Sequence, residues 1–160
     1  PIYPVKELVW TINSSGDNTA NVNNNGEWNN YTNKDNTDGG VATGSGTDGA
    51  GLLYGNGANN CTNAKLQLNG HDRFSQRNGA YFNLVQPYQH HTSSPSMGIN
   101  CYSFALKPEE HQPSGTCNFS RIDNATLNVT SASDGTAKVY AVNYNVLRIM
   151  SGMGGIAYTN

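Results

Sequence analysis

The chain has 160 residues, of which 36% are hydrophobic and only 12% charged, and its formal net charge is -2. This length fits one domain with one hydrophobic core, and the charge balance provides no general basic surface for nucleic acid, so no direct nucleic-acid partner is predicted. No apolar run is long enough for a transmembrane segment, and the first residues lack the pattern of a signal peptide. Abundant Asn and Gly with few charges are typical of a β protein with many turns.

The first predicted element is a strand over residues 4–12, PVKELVWTI, which ends at a run of small polar residues. Residues 13–60 then consist mainly of Asn, Gly, Thr and Asp, with few apolar side chains and more acidic than basic residues. Ordering such a segment costs about 1–2 kcal/mol per residue in backbone entropy, and little apolar surface is available to offset it. We therefore predict a surface loop insertion rather than a second domain.

Turn signals divide the next part of the chain. Two Asn-Gly pairs, at residues 69–70 and 78–79, each favour a two-residue hairpin turn. The first pair follows an apolar strand predicted over residues 64–68, and the second precedes an aromatic run at residues 81–85. Residues 86–95 are predicted to form a loop.

Residues 102–123, YSFALKPEEHQPSGTCNFSRID, are predicted to form a strand, a rigid polar corner and a second strand. The first strand stops before Pro108, because proline cannot donate to a sheet ladder. Pro108 followed by Glu109 and Glu110 suits the first turn of a short helix, where carboxylates meet the positive end of the helix dipole. Residues 112–115 then form a turn before the second strand.

The C-terminal third is predicted to be β structure. Residues 119–131 form one strand or two, and a turn at Asp134-Gly135 leads into the longest strand, residues 138–149. Because both faces of this strand are largely apolar, we place it centrally in a sandwich. A short strand at residues 156–158 ends the chain. The whole pattern predicts an all-β antiparallel sandwich or barrel with short helices only.

A metal site is one hypothesis for the histidines, but the sequence favours another role. Neighbouring residues on a strand point to opposite faces, so the adjacent pair His90 and His91 is poorly placed to bind one ion. We interpret the four histidines as loop residues that make hydrogen bonds, and we predict neither a metal site nor a cofactor: His71, His90, His91 and His111. Three cysteines without CxxC spacing, Cys61, Cys101 and Cys117, are predicted to be reduced thiols.

Carboxylates are the remaining candidates for catalysis. A glycosidase-like pair would combine Glu109 or Glu110 with Asp72 or Asp123 across a cleft. Charges at a helix start explain the two glutamates more simply, and no motif for a nucleophile, a phosphate or a dinucleotide is present. We therefore predict no catalytic residue and no enzyme activity. Six Asn-x-Ser/Thr sequences are candidate glycosylation sites: Asn13, Asn30, Asn60, Asn118, Asn124 and Asn128.

Residues 102–123 closely resemble a signature of the major capsid proteins of nucleocytoplasmic large DNA viruses, the double jelly-roll family of mimivirus, iridovirus and chlorella virus relatives. Four more segments resemble family segments in family order: PVKELVW (4–10), LNGHDRF (68–74), YFNLVQPYQHHT (81–92) and NYNVLRIMSGMGGIAY (143–158). Only residues 13–60 stand outside the resemblance. It implies an antiparallel jelly-roll sandwich, with residues 1–160 forming most of the C-terminal jelly-roll domain, incomplete on its N-terminal side.

The resemblance also implies a function. The chain would be part of a structural capsid subunit that forms homotrimeric, pseudo-hexagonal capsomers of an icosahedral virion assembled in the host cytoplasm. Its partners would be the other subunits of the trimer, neighbouring capsomers and minor capsid proteins. The polar corner would then be an assembly element, with these residues: Lys107, Pro108, Glu109, Glu110, Pro113, Arg121 and Asp123. The alternative is a jelly-roll module for glycan binding or host attachment, with loop aromatics Trp28, Tyr31 and Tyr54 contacting a host-surface glycan.

Overall fold

A computed structural model describes residues 4–14, 31–32, 59–132 and 134–156. The prediction of a surface loop over residues 13–60 therefore falls mostly outside the described residues. Within the described ranges no helix is both long and apolar enough to cross a membrane. The strands are β1 (Pro4–Ser14), β2 (Cys61–Leu68), β3 (His71–Asp72), β4 (Arg77–Asn78), β5 (Asn100–Ser103), β6 (Cys117–Asn118), β7 (Ala125–Ser131), β8 (Gly135–Asn143), β9 (Leu147–Met150) and β10 (Met153–Ile156).

Two antiparallel sheets are each built around one long strand. In the first sheet, β5 and β6 follow one another along one edge of β1, and β8 pairs along the other edge. In the second sheet, β7 pairs along one edge of β2, and the short strands β3 and β4 pair along the other. The prediction of an all-β antiparallel structure is confirmed.

The hydrophobic core lies between β1 and β2. Alternating residues of β1 supply one side, centred on the fully buried Trp10, and β2 supplies the other with Ala64 and Leu66. Alternation follows from strand geometry, because successive side chains point to opposite faces. Phe82 closes the core, with its ring centroid 5.1 Å from that of Trp10. The two sheets therefore form a sandwich with a shared interior.

A helical segment covers part of the first sheet where the sequence predicted a turn and a loop. Tyr81–Val85 form a π-helical turn that runs directly into the short helix α1 (Gln86–His90). The Asn78-Gly79 pair is not a hairpin turn, because the Asn78 side chain instead accepts a hydrogen bond from the Ala80 amide at 2.9 Å. The prediction of a loop over residues 86–95 is thus wrong for its first half.

The other Asn-Gly pair does form the predicted hairpin. Asn69 and Gly70 connect β2 to β3 with φ angles of 51° and 80°. Positive φ at both central positions is the signature of the turn that matches the twist of paired strands. The strand predicted at residues 4–12 is also confirmed, since it lies within β1.

The C-terminal strands differ most from the prediction. Residues 138–149 are not one central strand, because β8 ends at Asn143 and β9 begins at Leu147. In the described part of the first sheet, β8 is an outer strand and is largely exposed. Phe119–Arg121 form a 3-10 turn before β7. β10 begins earlier than the strand predicted at residues 156–158, of which only Ile156 lies within the described residues. The predicted apolar pattern is present, but Ala141 alone among the apolar residues of β8 and β9 packs against the described core, and the others are exposed.

Candidate functional site

The polar corner is closed by a serine. β5 ends at Ser103, and Pro108 begins a turn rather than the predicted helix. The Lys107 amide donates to Ser114 Oγ at 2.9 Å, and the Ser114 hydroxyl donates to the Lys107 carbonyl at 3.2 Å. Lys107 Nζ also lies 3.1 Å from Glu110 Oε1, an exposed ion pair that contributes little to stability. The corner is therefore held by backbone and hydroxyl groups rather than by a helix.

Glu109 ties the corner to the strand at the centre of the first sheet. Its Oε1 lies 2.9 Å from His91 Nδ1, and its Oε2 accepts from the Thr92 amide at 3.2 Å. The other ring nitrogen of His91, Nε2, lies 2.5 Å from Glu7 Oε1 on β1. His91 thus connects a buried carboxylate to an exposed one, although Glu7 and Glu109 are far apart in sequence.

These contacts change the acidity of the groups involved. The hydrogen bond from His91, followed by that from Thr92, lowers the pKa of Glu109. Burial by itself lowers the pKa of His91, but hydrogen bonds and charges from Glu109 and Glu7 outweigh it, so the net pKa is raised. The arrangement therefore favours an imidazolium that donates to both carboxylates.

Cys101 on β5 lies next to the same pair. Burial raises the pKa of its thiol to about 12, and the charge of Glu7 and a hydrogen bond to it act in the same direction. Three atoms that could bind a metal lie within 4.8 Å of one another: a carboxylate oxygen of Glu7, a ring nitrogen of His91 and the sulfur of Cys101. Glu7 and Cys101 are only 5% and 4% exposed. Sequence reasoning did not anticipate this cluster, because its members come from three distant segments.

The remaining residues of the corner are separate from this cluster, and all of them except Pro108 are exposed. Arg121 ends the 3-10 turn, and no hydrogen bond or ion pair to its side chain is found within the described ranges. The Asp123 amide donates to Asn69 Oδ1 at 3.0 Å. Pro108 is buried and Pro113 is exposed.

The hypothetical catalytic carboxylates do not come together. Asp72 is on β3 of the second sheet, where it accepts from Gln67 Nε2 at 2.7 Å and lies 3.3 Å from Lys65 Nζ. No contact joins Asp72 or Asp123 to Glu109 or Glu110 in the part of the chain that the structure describes.

The six candidate glycosylation sites have different environments. Asn13 and Asn60 are buried, and Asn60 Nδ2 donates to the Ile12 and Thr32 carbonyls at 3.0 and 3.2 Å, so the folded chain does not present these two amides to an enzyme. Asn118, Asn124 and Asn128 are exposed, and Asn30 lies outside the described residues.

A second notable surface is the C-terminal apolar surface, which we define as the exposed apolar side chains of β8, β9, β10 and the connection before β9. β9 and β10 pair with each other, and within the described ranges neither joins another sheet. A two-stranded hairpin is marginally stable by itself. Its exposed apolar residues, with their neighbours on β8, are Val139, Tyr140, Val142, Val146, Leu147, Ile149, Met150, Met153 and Ile156.

Comparisons with known proteins place this sandwich in a family. Residues 3–155 match the family model described as large eukaryotic DNA virus major capsid protein. A major capsid protein of Pyramimonas orientalis virus is 47% identical over 99% of this chain and 37% of its own length, and one of Chrysochromulina ericina virus is 72% identical over 65% and 19%.

Solved structures agree with the sequence relatives. A quasi-atomic model of the PBCV-1 virus capsid matches with a TM-score of 0.70 and 42% identity, over 100% of this chain and 44% of that chain. The fold is thus the predicted jelly-roll sandwich. The chain spans less than half the length of these relatives. It belongs to the family of large eukaryotic DNA virus major capsid proteins.

Proposed function

We propose that this chain is a structural part of a major capsid protein subunit. In this proposal the subunit forms homotrimeric, pseudo-hexagonal capsomers of an icosahedral virion, assembled in the host cytoplasm. The capsomers contact neighbouring capsomers and minor capsid proteins. The observation that carries the proposal is the C-terminal apolar surface, which occurs in a chain whose family members are named capsid proteins.

The physical argument rests on the cost of leaving this surface in water. Burying one Leu, Ile or Met side chain contributes about 1.5–3 kcal/mol, and the hairpin exposes several of them. Large exposed apolar side chains on both faces of paired strands are typical of β structure that is covered by other protein. We therefore propose that the C-terminal apolar surface is buried in the complete capsomer, by other parts of the subunit or by adjacent subunits.

The polar corner is proposed as a second assembly element. Arg121 and Asp123 are exposed at its far end, and Arg121 is suited to a bidentate contact with a carboxylate of another subunit. Glu109 has a different role, because both of its oxygens are used within the chain. Its contribution to assembly is thus indirect, through the position of the corner.

Enzyme activity is not proposed, since the described part of the chain contains no pair of carboxylates placed for hydrolysis. Glycosylation is proposed for the three exposed asparagines, Asn118, Asn124 and Asn128. A host-surface glycan as partner stays a prediction. Of the three aromatic residues suggested for it, Trp28 and Tyr54 lie outside the described residues and Tyr31 is half-buried.

An exposed hydrophobic residue of the hairpin provides the test. We expect Ile149→Asp, made in the complete subunit that carries this chain, to abolish trimer formation measured by light scattering. Ile149 is 68% exposed, so the same change should alter the unfolding free energy of the 160-residue chain by no more than about 0.5 kcal/mol.

The matched control is Ala125→Asp, which places the same charge at an exposed position of β7 in the second sheet and keeps the Asn and Thr of both neighbouring glycosylation sequences. We expect this variant to assemble normally. Trimer formation by Ile149→Asp at the parent level would contradict burial of the C-terminal apolar surface.

A further inference from the structure

Three side chains with metal-binding atoms converge on the face of the first sheet that is turned away from the core. Glu7 pairs with Ser103 and Val9 pairs with Cys101 in the β1–β5 register. Glu7 and Cys101 are therefore diagonal neighbours on one face of the sheet.

The helical segment brings the third side chain to this face. Gln86 Oε1 accepts from the Ser103 amide at 3.1 Å, which fixes α1 over β5. His91 follows α1 directly, so its ring reaches Glu7 on β1.

We propose that Glu7, His91 and Cys101 bind a divalent transition-metal ion of the zinc class through one carboxylate oxygen, one imidazole nitrogen and one thiolate. Mixed nitrogen, sulfur and oxygen ligands favour zinc over magnesium or calcium, which bind oxygen. The test of this site is separate from the test of the capsid function proposed above, because metal binding and trimer formation are measured by different assays.

The orientation of His91 is a second observation in favour of a metal. Its Nδ1 contacts the Glu109 carboxylate at 2.9 Å, which leaves Nε2 directed at Glu7. In protein metal sites the ligating imidazole typically donates its other N–H to a carboxylate, which fixes the ring and its tautomer. Glu109 is thus the positioning residue for His91.

The total charge of Glu7, His91 and Cys101 without the ion equals the total charge of the same three side chains together with the ion. Without it, the Glu7 carboxylate accepts a hydrogen bond from the His91 imidazolium, and Cys101 is a neutral thiol whose Sγ lies 3.7 Å from the Phe82 carbonyl oxygen, so the three groups are together neutral. Binding breaks the His91 Nε2–H and Cys101 S–H bonds and releases both protons to water. The carboxylate and the new thiolate then neutralise the two charges of the ion, and no net charge is added to a buried region.

The geometry needs only a small adjustment. Zinc lies about 2.0–2.3 Å from oxygen, nitrogen and sulfur ligands in tetrahedral sites, so ligand atoms are separated by about 3.3–3.6 Å. The three atoms are already within 4.8 Å of one another. The 2.5 Å contact between Glu7 Oε1 and His91 Nε2 must open by somewhat less than about 1 Å, and any separation from the Cys101 sulfur that exceeds about 3.6 Å must close. Rotation of the Glu7 carboxylate would lengthen its contact with His91. A water molecule would be the fourth ligand of the ion.

Cobalt(II) is the appropriate probe, because a bound thiolate gives an intense charge-transfer absorption. We expect the reduced, chelator-treated protein containing the whole chain to develop this absorption on titration with Co²⁺, and Zn²⁺ to displace it. Cys101→Ser should lose the absorption, whereas the control Cys117→Ser should keep it, since Cys117 is on β6 and outside the cluster. Glu109→Gln should weaken binding by about 10- to 100-fold.

His91→Gln is the second variant, in case Cys101→Ser does not fold, and it should also lose the absorption. Thermal unfolding of each variant with and without Zn²⁺ gives an independent readout, because a bound ion raises the stability of the folded protein. Absence of the absorption in the parent protein would overturn the proposal. So would its persistence in Cys101→Ser or His91→Gln, or its loss in Cys117→Ser.

Discussion

Replacing Phe82 by alanine tests whether the helical segment closes the core. Phe82 is fully buried, and its ring lies 5.1 Å from Trp10 and 5.4 Å from Phe74 between centroids. Truncation of a buried Phe removes its transfer free energy and leaves a cavity, which together cost about 3–5 kcal/mol. In a chain of this size each kcal/mol lowers the midpoint of thermal unfolding by about 2–4 °C, so we expect a decrease of roughly 6–20 °C.

Leu84→Ala is the matched control, because Leu84 belongs to the same π-helical turn but is 46% exposed. It should cost less than about 1 kcal/mol. Urea denaturation of both variants would give the unfolding free energies, with an unchanged m value as the criterion for two-state comparison. Equal losses in the two variants, or a loss below about 1 kcal/mol for Phe82→Ala, would refute the packing of this segment against Trp10.

Three further predictions concern the corner, a close approach and the thiols. Arg121→Ala should reduce trimer formation in light scattering without changing the unfolding free energy, whereas Glu109→Ala should reduce both, because Glu109 is bonded within the chain. Equal behaviour of the two variants would contradict this division. Gly79→Ala should fail to give a stable fold in circular dichroism, because its Cβ would lie 1.7 Å from a carbonyl oxygen of β2; a native melting curve would refute that contact. In metal-free protein, Cys117 should react with a thiol reagent well before Cys101, whose burial raises its pKa to about 12, and the opposite order in mass spectrometry would show that the exposures are wrong.

Local patterns predicted the strands and one turn, but not the features that depend on distant contacts. The apolar spacing of residues 4–12 also fits a helix, and the β-favouring residues at its end with the polar turn that follows predicted β1 correctly. Asn69-Gly70 forms the turn that its composition favours. Asn78-Gly79 has the same composition, yet Gly79 is needed because the backbone of β2 at Cys61 lies against it and leaves no room for a Cβ. This contact joins distant segments, so the local sequence does not predict it. The following aromatic run is helical because Phe82 enters a core formed by strands elsewhere in the chain.

The candidate site shows the same limit. The corner was predicted from its prolines and glycine, and its closure by Ser114 accords with that. The role of Glu109 was not predictable from its own segment. Its partner His91, and Glu7, which contacts the other ring nitrogen of His91, belong to other segments of the chain. Both faces of β8 carry apolar residues as the sequence indicated, but within the described first sheet β8 is an outer strand, because its position is set by its pairing with the distant β1.

The position of β1 has a consequence for how the chain folds. This strand begins at Pro4, yet it pairs along one edge with β8, so that Thr11 meets Lys138 near the other end of the sequence. During synthesis β1 leaves the ribosome long before this partner exists, with unpaired edges and an apolar face exposed. Contacts of such high sequence separation form slowly, and open strands aggregate readily in the interval. We therefore expect β1 to be most prone to aggregation in the interval before translation has passed β8.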